Sequence, residues 1–246
     1  MDQPGKPTIH HVTLQKRQEV ANGTMAFYFD RPPTFTFKAG QFIDLSLPNL
    51  STTEPQGHSR AFTLASAPSE QQLMVATRLR DTAFKRMLRD MPLGSTVDME
   101  GPFGQFTMQN NHSRTVVLLA GGIGITPFRS MLVEAARNKF SQPLILIYSN
   151  RRPEDAAFLQ ELQSLQQDNH SFKCIGTITN LHVGRKVWQG ETGRIDPVML
   201  KKYVKDMETA IYYVVGPPAM VQGLRKMLES ENKKKTSIRS EEFLGY

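Results

Sequence analysis

From Thr115 onward the apolar pattern switches repeatedly between two periods, and this switching constrains the fold more than any other feature. The runs "TVVLLA" (115–120), "LILIYS" (144–149), "FKCIGTIT" (172–179) and "IYYVVG" (211–216) are short and nearly continuously apolar. Between and after them stand amphipathic stretches: "PFRSMLVEAARNK" (127–139), "EDAAFLQELQSLQQ" (154–167), "DPVMLKKYV" (196–204) and "PAMVQGLRKMLESE" (218–231). Strands apolar on both faces, separated by helices, predict a doubly wound parallel sheet covered on both sides. A last strand, "SIRSEEF" (237–243), closes the pattern.

Residues up to about 108 follow a different rule. Short runs rich in β-branched and aromatic residues, "TIHHVTLQKRQEV" (8–20), "TMAFYFDRP" (24–32), "QFIDLSLP" (41–48), "AFTLAS" (61–66), "QLMVATRLR" (72–80) and "STVDMEG" (95–101), are punctuated by turn signals such as Asn22-Gly23 and Pro32-Pro33. Closely spaced strands of this kind predict an antiparallel barrel or sandwich, and a small β-barrel is the expected form. One helix, "TAFKRMLRDM" (82–91), interrupts them, with apolar residues at Phe84, Met87, Leu88 and Met91. The expected division is 1–110 and 111–246, across the polar segment from Met108 to Arg114.

Composition excludes several classes of function. The single cysteine, Cys174, cannot form an internal disulfide or supply the four thiolates of an ordinary iron–sulfur cluster, so no metal site is expected. No apolar run reaches the ~18 residues of a membrane span, and "MDQPGKPTIHH" has no apolar signal core; a cytoplasmic location is expected. The net charge of +7 favours acidic partners. The cations are scattered apart from "NKKK" at Asn232–Lys235, which reads as a solvated helix end, and no nucleic-acid-binding motif is present. Nucleic acid is not an expected partner.

Ligands of doubly wound sheets bind beyond the carboxyl ends of the strands, at the switch point. Three motifs fall at such ends: "AGGIGITP", "YSNRRPED" and "VGPPAM". In the first, Gly121, Gly122 and Gly124 let backbone approach a bound group, while Thr126 and Pro127 read as N-cap and first helical residue. In the barrel half, "HSRAFTLASAP" brings a cation, an aromatic face and a hydroxyl onto one strand through Arg60, Phe62 and Thr63.

Taken in order, "RAFTLAS", "EGPFG", "LLAGGIGITPF", "VVGPPAMV" and "EEFLGY" resemble the ferredoxin–NADP reductase family of flavoprotein oxidoreductases over essentially the whole chain. That resemblance implies an FAD-binding barrel, an NAD(P)-binding α/β domain and a tail returning to the flavin. It assigns Arg60 to the flavin phosphates, Phe62 to stacking on one flavin face and Thr63 to a hydrogen bond toward N5, with Leu64 and Ser66 completing the strand. A strand-end turn role suits Ser66 equally. Arg78, Thr82 and Lys85 fall where relatives wrap the pyrophosphate, although relatives carry a glycine and a hydroxyl there.

The same resemblance places Gly121, Gly122, Gly124, Thr126, Pro127, Gly216 and Pro217 around the nicotinamide nucleotide, with Thr126 near the point where nicotinamide meets flavin. Val215 stands where many relatives have cysteine. Asn150, Arg151, Arg152 and Asp155 would meet the adenosine ribose, with Arg185 and Arg194 near the same pocket. Here the signals conflict, since the arginines suit the 2′-phosphate of NADPH whereas Asp155 suits the free 2′-hydroxyl of NADH. The reading favours NADH. Phe243 would cover the other flavin face, with Tyr246 as the alternative, and Glu241 or Glu242 (the latter taken as the catalytic residue) would supply a carboxylate. The implied activity is hydride transfer between NADH or NADPH and FAD. Electrons then pass to a separate acceptor, an acidic ferredoxin or flavodoxin fitting the charge. The alternative is an electron-transfer subunit, or the reductase component of an oxygenase-type complex.

Overall fold

A computed structural model describes residues 8–47, 50–51, 57–108, 114–184, 187–231 and 237–243. The first half builds strands β1 (Ile9–Ala21), β2 (Thr24–Phe29), β3 (Phe42–Ser46), β4 (Ser59–Thr63), β5 (Leu73–Arg78) and β6 (Thr96–Phe103), in the antiparallel order β4-β3-β6-β1-β2-β5. The two ends of the sheet meet again: Leu64 bridges Val75, and the Ala65 amide donates to the Met74 carbonyl at 2.7 Å. The sheet thereby curls on itself. Alternate residues fill the interior, among them Val12 and Leu14, Phe27 and Phe29, Ile43 and Leu45, and Val97 and Met99. Helix α1 (Ala83–Asp90) adds Phe84 and Leu88 to this core. Its N-cap is Thr82, whose hydroxyl accepts from the Lys85 amide at 3.3 Å.

The second half holds the parallel strands β7 (Val116–Gly121), β8 (Leu144–Asn150), β9 (Phe172–Ile178), β10 (Glu191–Thr192), β11 (Ile211–Gly216) and β12 (Ile238–Glu242), in the order β10-β9-β8-β7-β11-β12. The chain winds outward from β7 through β8 and β9, then returns to lay β11 on the other side of β7. That reversal sets the switch point between β7 and β11. Period two divides each strand's apolar residues between two cores. Val116, Leu118 and Ala120 face helices α2 (Thr126–Arg137) and α3 (Leu159–Asp168), while Val117 and Leu119 face α4 (Pro197–Tyr203) and α5 (Pro218–Ser230).

The α2/α3 face also receives Ala26, Met74, Ala76 and Phe106 of the first half, so one apolar cluster spans both sheets. A charged joint accompanies it. Arg129 of α2, only 6% exposed, donates to the Glu70 and Glu161 carboxylates and to the Ala65 carbonyl, and Ser130 donates to the Ser66 carbonyl at 2.6 Å. Burial alone would lower the pKa of Arg129, but its hydrogen bonds to the two glutamates outweigh that and raise it.

Two local expectations change. The helix expected from Glu154 starts five residues later, because Pro153–Asp155 form a 3₁₀ turn and Phe158 takes a left-handed φ of 60°. Thr126 is not a cap. Gly122–Ile125 form a 3₁₀ turn that runs directly into α2, so Thr126 already has helical angles and its hydroxyl donates to the Ile123 carbonyl at 3.1 Å. The strand β10 carries no sequence signal because two residues are too few for periodicity. Among the described residues no helix is long and apolar enough to cross a membrane, and no cluster of three His, Cys, Asp or Glu is placed to hold a metal ion.

Candidate functional site

A pocket of about 460 Å³ runs along the carboxyl ends of the parallel strands. Gly121 at the end of β7 with Gly122 after it, Ser149 to Arg151 at the end of β8, Thr179 after β9 and Pro217 after β11 form its floor. One face of α5, through Met220, Gly223, Leu224 and Met227, forms an apolar wall. Arg78 reaches in from the barrel half, and Arg194 and Ile195 border it opposite. Thr179, Ser149 and the α5 wall were not singled out from the sequence. The signal was present in α5, where Met220, Gly223 and Met227 recur at helical spacing.

The three glycines of the turn serve different purposes. Gly122 has φ +52°, a conformation only glycine adopts at low cost. A Cβ on Gly121 would meet Met220 Sδ at 2.3 Å, and one on Gly124 would meet the Val215 carbonyl oxygen at 2.6 Å. Gly121 and Gly122 therefore line the pocket, whereas Gly124 lies behind it against the backbone of β11. Thr126 and Pro127 are likewise buried, Thr126 at 2% exposure.

Asn150 is the unusual member of the pocket. It is 4% exposed, yet neither its amide oxygen nor its amide nitrogen has a hydrogen-bond partner. An unpaired buried donor and acceptor together cost free energy unless a ligand meets them. Adjacent to it, the expected ribose residues divide. Arg152 turns to Asp155, donating Nη2 to Oδ1 at 2.6 Å and Nε to Oδ2 at 3.0 Å, and Asp155 is 5% exposed. Arg78 approaches the same carboxylate at 4.0 Å. Arg151 and Arg194 face the pocket instead.

On the barrel side, Arg60 lies with its guanidinium carbon 5.1 Å from the Phe84 ring centroid and donates to the Gly57 and Ser59 carbonyls. Near it, at the start of α1, Lys85 is pulled down to about 8 by burial and then by the like charges of Arg80 and Arg60. A cation cluster at a helix N-terminus is a fitting receptor for a pyrophosphate. Thr63 is half-buried, and its hydroxyl makes no hydrogen bond among the described residues. Phe62 instead packs inward, 5.9 Å from the Phe84 ring centroid and 9% exposed. Leu64 is fully buried with its amide donating to the Gln41 carbonyl, and the Ser66 hydroxyl accepts from the Met74 amide at 2.9 Å. That bond is of the kind a strand-end turn role gives Ser66.

The tail returns to the switch point. β12 pairs with β11, the Phe243 amide donates to the Gly216 carbonyl at 3.0 Å, and Phe243 packs against the cluster shared with the barrel half. Glu241 pairs with Val215 on that same face, whereas Glu242 is exposed and accepts from Gln222 of α5 at 3.3 Å. Of the two carboxylates, Glu241 is thus directed toward the barrel and Glu242 away from it. Tyr246 and Arg185 lie outside the described residues, as does the run Asn232–Lys235.

Burial raises the Glu241 carboxyl from an ordinary 4.5 to about 7. The native state therefore holds a proton that the unfolded chain releases. This contribution to stability is complete below pH 4.5 and is lost as pH rises through 7. Glu241→Gln removes the titration, so its melting temperature relative to the parent is expected to climb between pH 4.5 and 7. Thermal melts of both chains across that range check this, and parallel curves would refute it.

Comparison with known proteins agrees with this geometry. Residues 11–108 match the model of the oxidoreductase FAD-binding domain, and residues 118–226 that of the oxidoreductase NAD-binding domain. The glycine betaine monooxygenase reductase subunit of Chromohalobacter salexigens is 26% identical over 223 residues, 89% of this chain and 60% of that protein. The reductase component of propane 2-monooxygenase from Mycolicibacterium smegmatis is 28% identical over 86% of this chain and 60% of its own. The chain thus spans about three-fifths of the length of these relatives. A ferredoxin NADP+ reductase from Neisseria gonorrhoeae, solved with bound FAD and NADP, shares the fold with a TM-score of 0.78 at 22% identity, covering 96% of this chain and 99% of that one.

Proposed function

The chain belongs to the ferredoxin–NADP reductase-like family of FAD- and NAD-binding oxidoreductases, and on that premise we propose that it oxidises NAD(P)H through FAD and delivers electrons to a separate acceptor. One juxtaposition carries the reading. The pocket with the unmet Asn150 amide and the cation cluster of Arg60, Arg80 and Lys85 belong to two halves that share one core, with Phe243 standing at their junction. When bound, FAD supplies the capacity to take two electrons from nicotinamide and release them singly.

The residues of the chain bind, orient and exclude water. Arg60 and Lys85 hold the flavin phosphates, and the Thr63 hydroxyl is free to donate toward the flavin ring. Asn150 offers a donor and an acceptor side by side, the pattern complementary to an adenine edge. Phe243 shields the site until nicotinamide enters, and Glu241 brings the nearer of the two tail carboxylates. Alignment of the two rings at roughly 3–3.5 Å is what such positioning contributes to rate. The division into a flavin half (1–110) and a nucleotide half with a returning tail (111–246) belongs to the same reading, as does a cytoplasmic location.

A second reading, reductase component of an oxygenase system, is favoured by the names of the relatives. With one cysteine in the sequence, an iron–sulfur acceptor has to be carried elsewhere. An acidic ferredoxin or flavodoxin fits the net charge of +7. Anaerobic stopped-flow mixing of the yellow chain with NADH and with NADPH tests the common core of both readings. Flavin absorbance is expected to bleach with at least one nucleotide, and no bleaching with either overturns the proposal. Reduction of ferricyanide by the isolated chain, set against activity only after a partner is added, separates free enzyme from subunit.

A further inference from the structure

The geometry points to the 2′-phosphate of NADPH as the group this pocket selects, with Arg151 and Arg194 as the residues that bind it. The inference rests on the reading of the pocket as a nicotinamide-nucleotide site and deepens it to a choice of nucleotide. It reverses the preference drawn from the sequence, where Asp155 stood for recognition of a free 2′-hydroxyl.

A carboxylate that reads a ribose hydroxyl must present an oxygen to it. Asp155 does not. Both of its oxygens accept from Arg152, at 2.6 and 3.0 Å, a second cation stands 4.0 Å away on Arg78, and the residue is 5% exposed and absent from the pocket lining. A bidentate guanidinium pair of this kind holds its carboxylate firmly in one orientation. The neighbouring acid, Glu154, is also turned toward Arg152, at 3.9 Å. The acids of "RRPED" are thereby committed to Arg152, and the pocket lining contains no carboxylate.

The cations remain. Arg78, Arg151 and Arg194 all line the pocket, and among the described residues the Arg151 and Arg194 side chains make no hydrogen bond or ion pair. They are exposed, so they can turn to a ligand without leaving a buried partner unmet. A planar guanidinium binds phosphate oxygens in a fork, and a 2′-phosphate adds about two negative charges where a hydroxyl adds none. In a pocket bordered by three cations and no acid, the phosphorylated nucleotide gains and the hydroxylated one does not.

The test compares 2′,5′-ADP with 5′-AMP by calorimetric titration of the flavin-loaded chain. These probes differ at the 2′ position alone and need no turnover. The 2′-phosphorylated probe is expected to bind at least tenfold more tightly at low ionic strength, with the gap narrowing as salt rises. The double substitution Arg151→Gln with Arg194→Gln is expected to close the gap to within about threefold. Retained flavin absorbance and near-ultraviolet circular dichroism verify that the altered chain is folded. Equal affinities in the parent, or a gap that survives the double substitution, overturns the inference. If NADH and NADPH both bleach the flavin while the two probes bind alike, the selectivity claim alone fails. If neither probe binds and neither nucleotide bleaches the flavin, the reading of the pocket fails with it.

Discussion

A chain carrying Arg60→Ala together with Lys85→Met is expected to purify colourless, with an affinity for FAD reduced by about 100- to 1000-fold. Burial, and after it the like charges of Arg80 and Arg60, bring the Lys85 ammonium down to about 8. Crowding like charges is unfavourable by itself; a pyrophosphate placed among them reverses the sign. Charge-assisted hydrogen bonds to phosphate contribute about 1.5–3 kcal/mol each, or roughly ten- to a hundredfold in affinity. The two losses share one ligand and need not add in full. Quenching of flavin fluorescence on titration into the apoprotein measures the effect. A second signature comes from pH. Lys85 in the free protein loses its proton as pH rises through about 8, so parental affinity for FAD falls above that point, whereas Lys85→Met alone gives a flatter profile. Parental affinity in the doubly substituted chain would remove the assignment of this cluster to the flavin.

Gly40→Ala is expected to produce the largest loss of stability of any single methyl addition considered, about 3 kcal/mol or more. Gly40 has φ +100°, and a Cβ there would stand 2.1 Å from the Phe106 carbonyl oxygen and 2.4 Å from Met131 Cε. The methionine can move aside. The Phe106 backbone cannot, because it leads out of the barrel and its ring packs against Tyr213 and Phe128. For a chain of this length such a loss lowers the melting temperature by about 6–12 °C. Calorimetry checks it, with Gly23→Ala as the comparison: Gly23 also has positive φ, but its Cβ would meet nothing within 4 Å. Equal effects of the two substitutions would show that backbone conformation, and not contact with Phe106, sets the cost.

Much of the architecture was legible in the sequence because it rests on periodicity. The alternation of Val116, Leu118 and Ala120 with Val117 and Leu119 is a direct consequence of two-residue repetition, and each helix of the second half announces an apolar face. What escaped depends on single torsions or on neighbours distant in the chain. Phe158 adopts a left-handed conformation that no propensity suggests, and it delays α3. Thr126 followed by Pro127 has the composition of a helix start, yet the 3₁₀ turn before it does the capping. The glycines of "AGGIGITP" suggested ligand approach, whereas Gly124 answers to a strand almost a hundred residues later. Asp155 is the sharpest case. The sequence offers it as a carboxylate for a ribose hydroxyl, whereas its commitment to Arg152 depends on side-chain geometry. Glu241 and Glu242 could not be separated until β12 acquired a partner, after which strand alternation assigned them opposite faces.

The joint formed by Arg129, Glu70 and Glu161 bears on how such proteins exchange parts. Family models divide the chain at its middle, which invites the view that flavin and nucleotide halves are interchangeable modules. Arg129 is buried at the seam, bonded to an acid from each side. A foreign barrel grafted onto this nucleotide half therefore has to bring its own acid opposite Arg129, or leave a buried cation with half its partners. Exchange of either half is in this sense constrained by a few seam residues that act as a compatibility code and have to match across the joint.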